Sequence, residues 1–233
     1  NSSVSSVFDP TAKAFTEAYA EALSEAEVTV PAPNAVIRDA EAQECREIAA
    51  AYLTELHKEL HNDGWVVVSC EEEMITDVLK LEFTENGHEY VIKFSGNIDR
   101  IDKKTCEDGS VIYRIADYKT GKYNTAEEMD KKTKQHLIYA QYVSKKYGEK
   151  EKAEVEDFSY LFLSALKEGR PEWKAEFLNG ELKREILNAG EKALIDAVYA
   201  EHNYLKKPRK EIVKTDSCSK YCRYKDICMY ELV

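Results

Sequence analysis

Residues 111–119, VIYRIADYK, most restrict what this chain can form, because they predict a β-strand that ends in charged side chains. The apolar residues at odd positions lie on one face, at the period of two residues that a strand imposes, and Asp117 and Lys119 continue that face. An anion and a cation therefore lie side by side where the strand ends. A surface ion pair would explain them, and such a pair contributes only about 0–1 kcal/mol. Other segments of the chain must decide between this explanation and a reactive site.

A second carboxylate lies on the preceding predicted strand, in the segment FSGNIDRID. Asp99 shares a face with Ile101, and a carboxylate among apolar residues is costly without a partner. A turn over residues 106–110 would fold this strand back against residues 111–119. The sequence therefore predicts that Asp99 and Asp117 approach each other.

Two neighbouring carboxylates repel each other, and the repulsion raises the pKa of one of them unless a cation lies between them. Mg²⁺ and Mn²⁺ are hard ions that prefer oxygen ligands, so Asp99 and Asp117 together predict a site for one of these ions. Lys119 could then orient an attacking water or stabilise the charge that develops on a phosphate. Gly96 would permit close approach of the backbone or a substrate at the same place.

The remaining pattern predicts a single α/β domain with a mixed central sheet flanked by helices. A three-strand antiparallel meander is expected from a strand at 65–74 and from residues 77–102, which contain a hairpin that turns at Asn86-Gly87. Two further strands are expected at 154–166 and 171–178, and helices are expected at 11–27, 39–60, 125–147 and 180–205. We divide the chain into N-terminal helices at 1–62, an α/β core at 63–205 and a cysteine-containing C-terminal segment at 206–233.

The charge balance restricts the partners of the chain. With 44 acidic and 33 basic residues the formal net charge is −11, which argues against a broad nucleic-acid-binding surface but leaves room for a local one. No apolar run reaches the roughly 18–20 residues that cross a bilayer, and the start lacks the pattern of a signal peptide. We therefore expect a cytoplasmic protein without a membrane partner, whose six cysteines are free thiols or metal ligands.

Three segments, in a fixed order, carry a family resemblance. GNIDRID is followed by IADYKTGK and then, on a predicted helix, by QHLIYAQY. This arrangement resembles the core of the PD-(D/E)XK nucleases, and in particular the RecB/AddB-like exonuclease branch, with its patterns G-x-x-D-R-I-D, D-Y-K-[TS]-G and Q-x-x-x-Y. The resemblance extends over roughly residues 40–230 and is specific over 96–121.

The resemblance implies a restriction-endonuclease-like core and metal-dependent hydrolysis of phosphodiester bonds in DNA. Asp99 and Asp117 would be metal ligands, together with the backbone carbonyl of Tyr118. Lys119 would be the catalytic lysine. The implied cofactor is therefore Mg²⁺ or Mn²⁺, and the implied substrate is DNA.

Two further elements of the site follow from the same resemblance. Gln135 and Tyr139, at i,i+4 on one face of the predicted helix, would join the catalytic set. The family often adds an acidic residue on the strand before the hairpin. In the segment CEEEM we assign Glu73 as this additional metal ligand, with Glu71 on the same strand face as the alternative.

The C-terminal segment supplies a fourth match. Cys218, Cys222 and Cys228 have the spacing C-x3-C-x5-C, where the branch more often has C-x2-C-x5-C around three ligands of a [4Fe–4S] cluster. A four-cysteine site is the chemical requirement of such a cluster. Zinc bound by these three thiolates and a histidine such as His202 is an alternative, and three unligated thiols are another.

The resemblance leaves three functions open. The first is a Mg²⁺-dependent DNA exonuclease in repair or recombination. The second is a catalytically degenerate module that scaffolds a helicase–nuclease complex, and the third is an endonuclease or RNA-processing enzyme on the same core. The Asp99, Asp117 and Lys119 set favours the first, whereas the acidic net charge favours the second. The family's metal-ligating histidine and first cluster cysteine do not occur before Phe15, so we expect a truncated piece of a longer protein or a degenerate member.

Overall fold

The computed structural model describes residues 8–29, 34–85, 88–151, 153–170, 172–177 and 192. The chain separates into two compact units, Asn1–Asn188 and Ala189–Val233. All the helices and strands named below belong to the first unit. The helix expected at 180–205 lies outside the described residues except for Lys192, and the cysteine-containing segment at 206–233 lies wholly outside them.

The first unit contains helices and strands in the mixed order that the sequence predicts. The helices are α1 Lys13–Thr29, α2 Ala35–Asp63, α3 Ala126–Lys132, α4 Gln135–Glu151 and α5 Leu163–Lys167. The strands are β1 Val66–Glu73, β2 Lys80–Glu85, β3 His88–Lys93, β4 Asn97–Thr105, β5 Val111–Lys119, β6 Ala153–Phe162 and β7 Lys174–Glu176. None of the helices in this described part of the chain is long and apolar enough to cross a bilayer.

Five of these strands form one mixed sheet in the order β1-β4-β5-β6-β7. Strands β5 and β6 pair in parallel, and the other neighbours pair antiparallel. The parallel pair requires a crossover, which α3 and α4 provide. The predicted α/β class with a mixed central sheet flanked by helices is confirmed.

The predicted meander is wrong in its pairing. Strands β2 and β3 form a separate two-stranded sheet, and β1 pairs with β4 instead. The chain leaves the main sheet after β1 and returns at Gly96, whose carbonyl accepts a hydrogen bond from Met74 N at 2.8 Å. Gly96 has a φ of 155°, which a residue with a Cβ rarely adopts. The hairpin is therefore an insertion between β1 and β4, and its two ends are joined by this hydrogen bond.

Two predicted element boundaries also differ from the structure. The helix expected over 125–147 is broken at Thr133, which has extended backbone angles between α3 and α4. The strand expected over 154–166 ends at Phe162, and α5 begins at the next residue, Leu163. Leu, Ala and Lys in that segment favour a helix, and short apolar runs do not by themselves distinguish a helix from a strand.

Helices α2 and α4 cover opposite faces of the sheet. Tyr52 of α2 packs in a cluster with Ala116 of β5 and Leu161 of β6. The ring of Tyr139 in α4 lies 6.3 Å from that of Phe158 in β6, on the other face. The two faces of β4 and β5 therefore have different surroundings, and the residues predicted to be reactive lie on the α4 face.

The face beneath α2 contains a buried ionic network. Asp102, whose side chain is 0% exposed, receives a hydrogen bond from Arg114 Nε at 2.7 Å and lies 3.1 Å from Arg100 Nε. Arg114 also pairs with Glu59 of α2, at 3.0 Å between its guanidinium and the carboxylate. A cavity of about 20 Å³ lies beside this network, and Asp157 is among the residues that line it.

Asp157 makes the stability of the fold depend on pH. Burial raises the pKa of this carboxyl to about 6, from an ordinary value of 3.8, although Ser159 Oγ donates a hydrogen bond to it. Between these values the folded state holds a proton that the unfolded state releases, so the free energy of unfolding falls as the pH rises from about 4 to about 6. We expect Asp157→Asn to raise this free energy at about pH 7, on the order of 2 kcal/mol relative to wild type. Urea unfolding of both proteins at about pH 4 and about pH 7 tests this. An equal difference in the free energy of unfolding between the two proteins at both pH values would contradict it.

Candidate active site

Asp99 and Asp117 lie opposite each other on adjacent strands. In the antiparallel register of β4 and β5, Arg100 pairs with Ala116, so Asp99 and Asp117 occupy the next cross-strand position. Asp99 Oδ2 accepts a hydrogen bond of 2.6 Å from the backbone N–H of Tyr118. The structure therefore brings together the two carboxylates that strand periodicity placed on one face, while their catalytic roles stay a prediction.

Asp117 is the more deeply buried of the two carboxylates, with 3% of the residue exposed. Burial raises its pKa above the ordinary value, the negative charge of Asp99 raises it further, and the nearby Lys119 ammonium opposes both effects. Lys119 contacts Asp117 Oδ1 as an ion pair. The Asp117 carboxylate is therefore a buried anion whose charge this ammonium compensates.

Lys119 begins a chain of polar contacts that reaches α4. Its ammonium donates to Gln135 Oε1 at 3.2 Å, and Gln135 Nε2 lies 3.4 Å from the Tyr139 hydroxyl. That hydroxyl in turn donates to the backbone carbonyl of Asn97 at 2.9 Å, at the start of β4. The i,i+4 pair on the helix thus connects the lysine on β5 with the strand that carries Asp99.

Two aromatic side chains form one side of the site. The Lys119 ammonium lies 5.1 Å from the ring centroid of Tyr160, which is buried and pairs with Asp117 in the sheet. Burial raises the pKa of the Tyr139 hydroxyl, and the charges of Asp117, Asp99 and Glu71 raise it further. Both hydroxyls therefore remain neutral at physiological pH. Sequence analysis missed Tyr160, because only the parallel pairing of β5 and β6 reveals that it neighbours Asp117.

Glu71 of β1 is a third acidic residue near this site, because its charge contributes to the raised pKa of Tyr139. Its neighbours Cys70 and Glu72 pair with Arg100 and Ile98, so Glu71 lies across from Asp99. Its φ of 50° is unusual for a residue other than glycine, and such backbone angles are concentrated at functional sites.

Glu73, the residue assigned from the sequence, pairs two positions further along than Glu71, with Asn97. Its side chain is exposed, and this register position separates it from Asp99 and Asp117. The assignment of Glu73 as a ligand stays a prediction, and the geometry favours the alternative, Glu71.

Tyr118 has its side chain on the α2 face, away from the two carboxylates. Its hydroxyl lies 3.0 Å from the hydroxyl of Tyr52 and 3.4 Å from a guanidinium nitrogen of Arg100. Burial raises the pKa of Tyr118 to about 12, so the hydroxyl is neutral. The side chain of this residue therefore lies away from the candidate site, and the use of its carbonyl as a metal ligand stays a prediction.

The donor set fits a small divalent cation better than a metal that needs a protein cage. No group of three or more His, Cys, Asp or Glu side chains in the described part of the chain could hold a metal ion. Mg²⁺, however, usually keeps several waters and is bound through one or two carboxylates and the phosphates of its substrate. Asp99 and Asp117 supply two carboxylates at one cross-strand position, and the charge of Asp99 disfavours that of the buried Asp117, so these residues fit such an ion.

The cysteines give no further metal site within the described residues. Cys45 and Cys70 are exposed free thiols, and Cys106 is a partly exposed one. Cys218, Cys222 and Cys228 lie outside the described residues, as does His202. The cluster assigned to these three cysteines therefore stays a prediction.

A family model described as the PD-(D/E)XK nuclease superfamily matches residues 5–229, which is almost the whole chain. No curated protein matches the chain. The matched range includes every residue of the candidate site, from Glu71 to Tyr160.

Proposed function

This chain belongs to the PD-(D/E)XK nuclease superfamily, and we propose that it is a Mg²⁺- or Mn²⁺-dependent DNA exonuclease of the RecB/AddB-like type, acting in DNA repair or recombination. The observation that carries the proposal is the cross-strand pair Asp99 and Asp117 with the Lys119 ammonium beside it. Structural ion pairs join opposite charges. Here a second anion, Asp99, lies beside the Asp117–Lys119 pair, and its charge disfavours that of the buried Asp117. Such an arrangement is costly for stability and suits an added cation.

Each residue of the site would have a separate role in phosphodiester hydrolysis. Asp99 and Asp117 would hold the ion, with the Tyr118 carbonyl as a third oxygen. When bound, Mg²⁺ would stabilise the negative charge that develops on the phosphate. Lys119 would donate a hydrogen bond to the attacking water or to a phosphate oxygen. Gln135 holds Lys119 through its amide oxygen, and Tyr139 fixes Gln135 against β4.

Hydrolysis of linear DNA by this protein is expected to require Mg²⁺ or Mn²⁺ and to fail with Ca²⁺ or EDTA. Ca²⁺ takes more ligands at longer and more variable distances, so it positions the phosphate poorly although it binds the same oxygens. The measurement is the release of nucleotides from an end-labelled duplex and a single strand, with each ion in turn. A circular substrate distinguishes exonuclease from endonuclease activity. Equal hydrolysis in EDTA would contradict the proposal.

A second candidate function is a nuclease-like module that binds a helicase domain or subunit and does not hydrolyse DNA. The net charge of −11 favours it, because DNA is an anion that an acidic surface repels. The two candidates differ in one result. A folded protein that binds Mg²⁺ or Mn²⁺ but hydrolyses neither linear nor circular DNA would support the scaffold.

A [4Fe–4S] cluster bound through Cys218, Cys222 and Cys228 and a fourth ligand is part of the same proposal. The support is the spacing C-x3-C-x5-C and the need of such a cluster for thiolate ligands. Iron and acid-labile sulfide, measured in protein purified without oxygen, test it. Stoichiometric zinc without sulfide would support the alternative three-thiolate zinc site.

A further inference from the structure

A cavity of about 330 Å³ lies beside the end of β5. Its lining consists of the loop at 120–123 and of Ser164, Ala165, Glu168 and Arg170. The loop follows Lys119 directly in the chain, so the cavity begins one residue beyond the candidate catalytic lysine. None of its lining residues belongs to the set that we assign to metal binding or hydrolysis.

Two contacts connect this cavity with the reactive end of the sheet. The ring of Tyr123 packs edge to face on Phe162, with 5.3 Å between the ring centroids, and Phe162 pairs with Lys119 across the parallel strands. The carbonyl of Thr120 accepts a hydrogen bond of 2.9 Å from Ser164 Oγ, which joins the loop to α5. The cavity thus lies outside the carboxyl ends of β5 and β6, where open α/β sheets bind ligands.

The lining combines groups that bind a single nucleotide. Tyr123 is a partly buried aromatic ring, on which a base can stack, and Lys122 and Arg170 are exposed cations that can contact a phosphate. Glu168 limits the charge, because its carboxylate pairs with Arg170 Nε at 2.6 Å. Burial raises the pKa of Tyr123, and the negative charges of Glu172 and Glu128 raise it further, so these two carboxylates also lie near the ring. This surrounding suits one base and one phosphate and disfavours several phosphates.

We propose that this cavity, here called the Tyr123 cavity, binds one unpaired nucleotide adjacent to the phosphate that is cut. The inference rests on the proposed nuclease function and adds the substrate class, a single-stranded or frayed DNA end. A volume of about 330 Å³ is at the lower end of the roughly 300–1,000 Å³ of small-molecule sites, so it has room for one nucleotide. A base within a duplex reaches such a cavity only after it leaves the stack.

The test measures binding in EDTA, so that it does not depend on hydrolysis. The probe is a fluorescent single-stranded oligonucleotide, compared with the same sequence as a blunt duplex. We expect wild type to bind the single strand more tightly, and Tyr123→Ala to weaken that binding about tenfold, because base–aromatic stacking is lost. Tyr123→Phe keeps the ring and should bind like wild type. Lys122→Ala and Arg170→Ala should each reduce the salt dependence of binding by about one phosphate contact.

Arg38→Ala is the matched control, because Arg38 is also an exposed arginine paired with a nearby carboxylate, Asp39, and does not line the cavity. It should bind the oligonucleotide like wild type. Tyr123→Leu keeps apolar packing against Phe162 and serves if Tyr123→Ala fails to fold. The inference is overturned if the Tyr123 and Arg170 variants bind like Arg38→Ala, or if wild type does not bind the single strand more tightly than the duplex.

The two proposals can fail separately. If wild type hydrolyses DNA with Mg²⁺ and the Tyr123 variants bind and cut every substrate like wild type, the Tyr123 cavity is not a nucleotide site and the nuclease function stands. If the single strand binds through Tyr123 but no substrate is cut with any ion, the cavity is a nucleotide site and the exonuclease function fails.

Discussion

Asp117→Asn is expected to abolish the hydrolysis of linear DNA and at the same time to raise the thermal stability of the protein. The loss of rate should be on the order of 10³-fold or more, because a neutral amide holds a divalent cation poorly and several kcal/mol of charge stabilisation are lost with it. The folded state should become more stable, because burial and the neighbouring Asp99 both disfavour the charge of Asp117. In EDTA the unfolding midpoint should rise by roughly 2–4 °C, the shift that about 1 kcal/mol produces in a chain of this size.

The two effects are measured on the same protein preparation. Nucleotide release with Mg²⁺ gives the activity, and a thermal scan in EDTA gives the midpoint. Asp77→Asn is the control, because Asp77 is an exposed aspartate whose carboxylate pairs with Lys80 and Lys93, and it should change neither quantity appreciably. Hydrolysis by Asp117→Asn at the wild-type rate would refute the site. A lower midpoint would show that the ion pair with Lys119 outweighs the repulsion.

Asp102→Asn is expected to have the opposite effect on stability, although Asp102 is also a buried aspartate on the neighbouring strand. Two guanidinium groups, of Arg100 and Arg114, lie at 3.1 and 2.7 Å from its two oxygens. Removing the charge leaves these cations without their buried anion, and breaking a buried pair in this way costs about 3–5 kcal/mol. The unfolding midpoint should fall by on the order of 10 °C.

The comparison of the two variants is the informative measurement, because the substitution is the same and only the surroundings differ. If Asp102→Asn fails to fold, Arg114→Gln weakens the same network while leaving Arg100 beside Asp102, and a smaller decrease is expected. Equal midpoints for wild type and Asp102→Asn would show that the network contributes little. Either outcome leaves the prediction for Asp117 unaffected, since the two aspartates lie on opposite faces of the sheet.

These opposite effects follow from the two faces of β4 and β5. On the α2 face, the charges of Asp102, Arg100 and Arg114 are matched by opposite charges, which is the usual condition of buried ions, and Asp157 is the exception. On the α4 face, Asp99 lies beside the Asp117–Lys119 pair, and its charge opposes that of Asp117. A protein retains an unfavourable charge arrangement of this kind where a function requires it, and in this chain it coincides with the segment over which the family resemblance is specific.

Local patterns in the sequence predicted the strands and the face that carries the two carboxylates. Alternation over 97–105 and 111–119 places Asp99 and Asp117 on one face of their strands, and the i,i+4 spacing places Gln135 and Tyr139 on one face of a helix. These are local properties, because the backbone geometry of a strand or a helix alone sets the direction of each side chain. The structure has all four residues at one site, and the family match supports the nuclease assignment.

The pairing of the strands could not be predicted from the sequence and became visible in the folded chain. The sequence predicted extended segments at β1, β2 and β3, yet β1 pairs with β4 while the hairpin forms its own sheet. Pairing depends on contacts between residues far apart in the chain, and periodicity contains no information about them. For the same reason the sequence did not reveal the neighbours of Tyr160, of Glu71 and of the Tyr118 hydroxyl. The first two reach the site through strand register, and the last meets Tyr52 from a helix 66 residues away in the sequence.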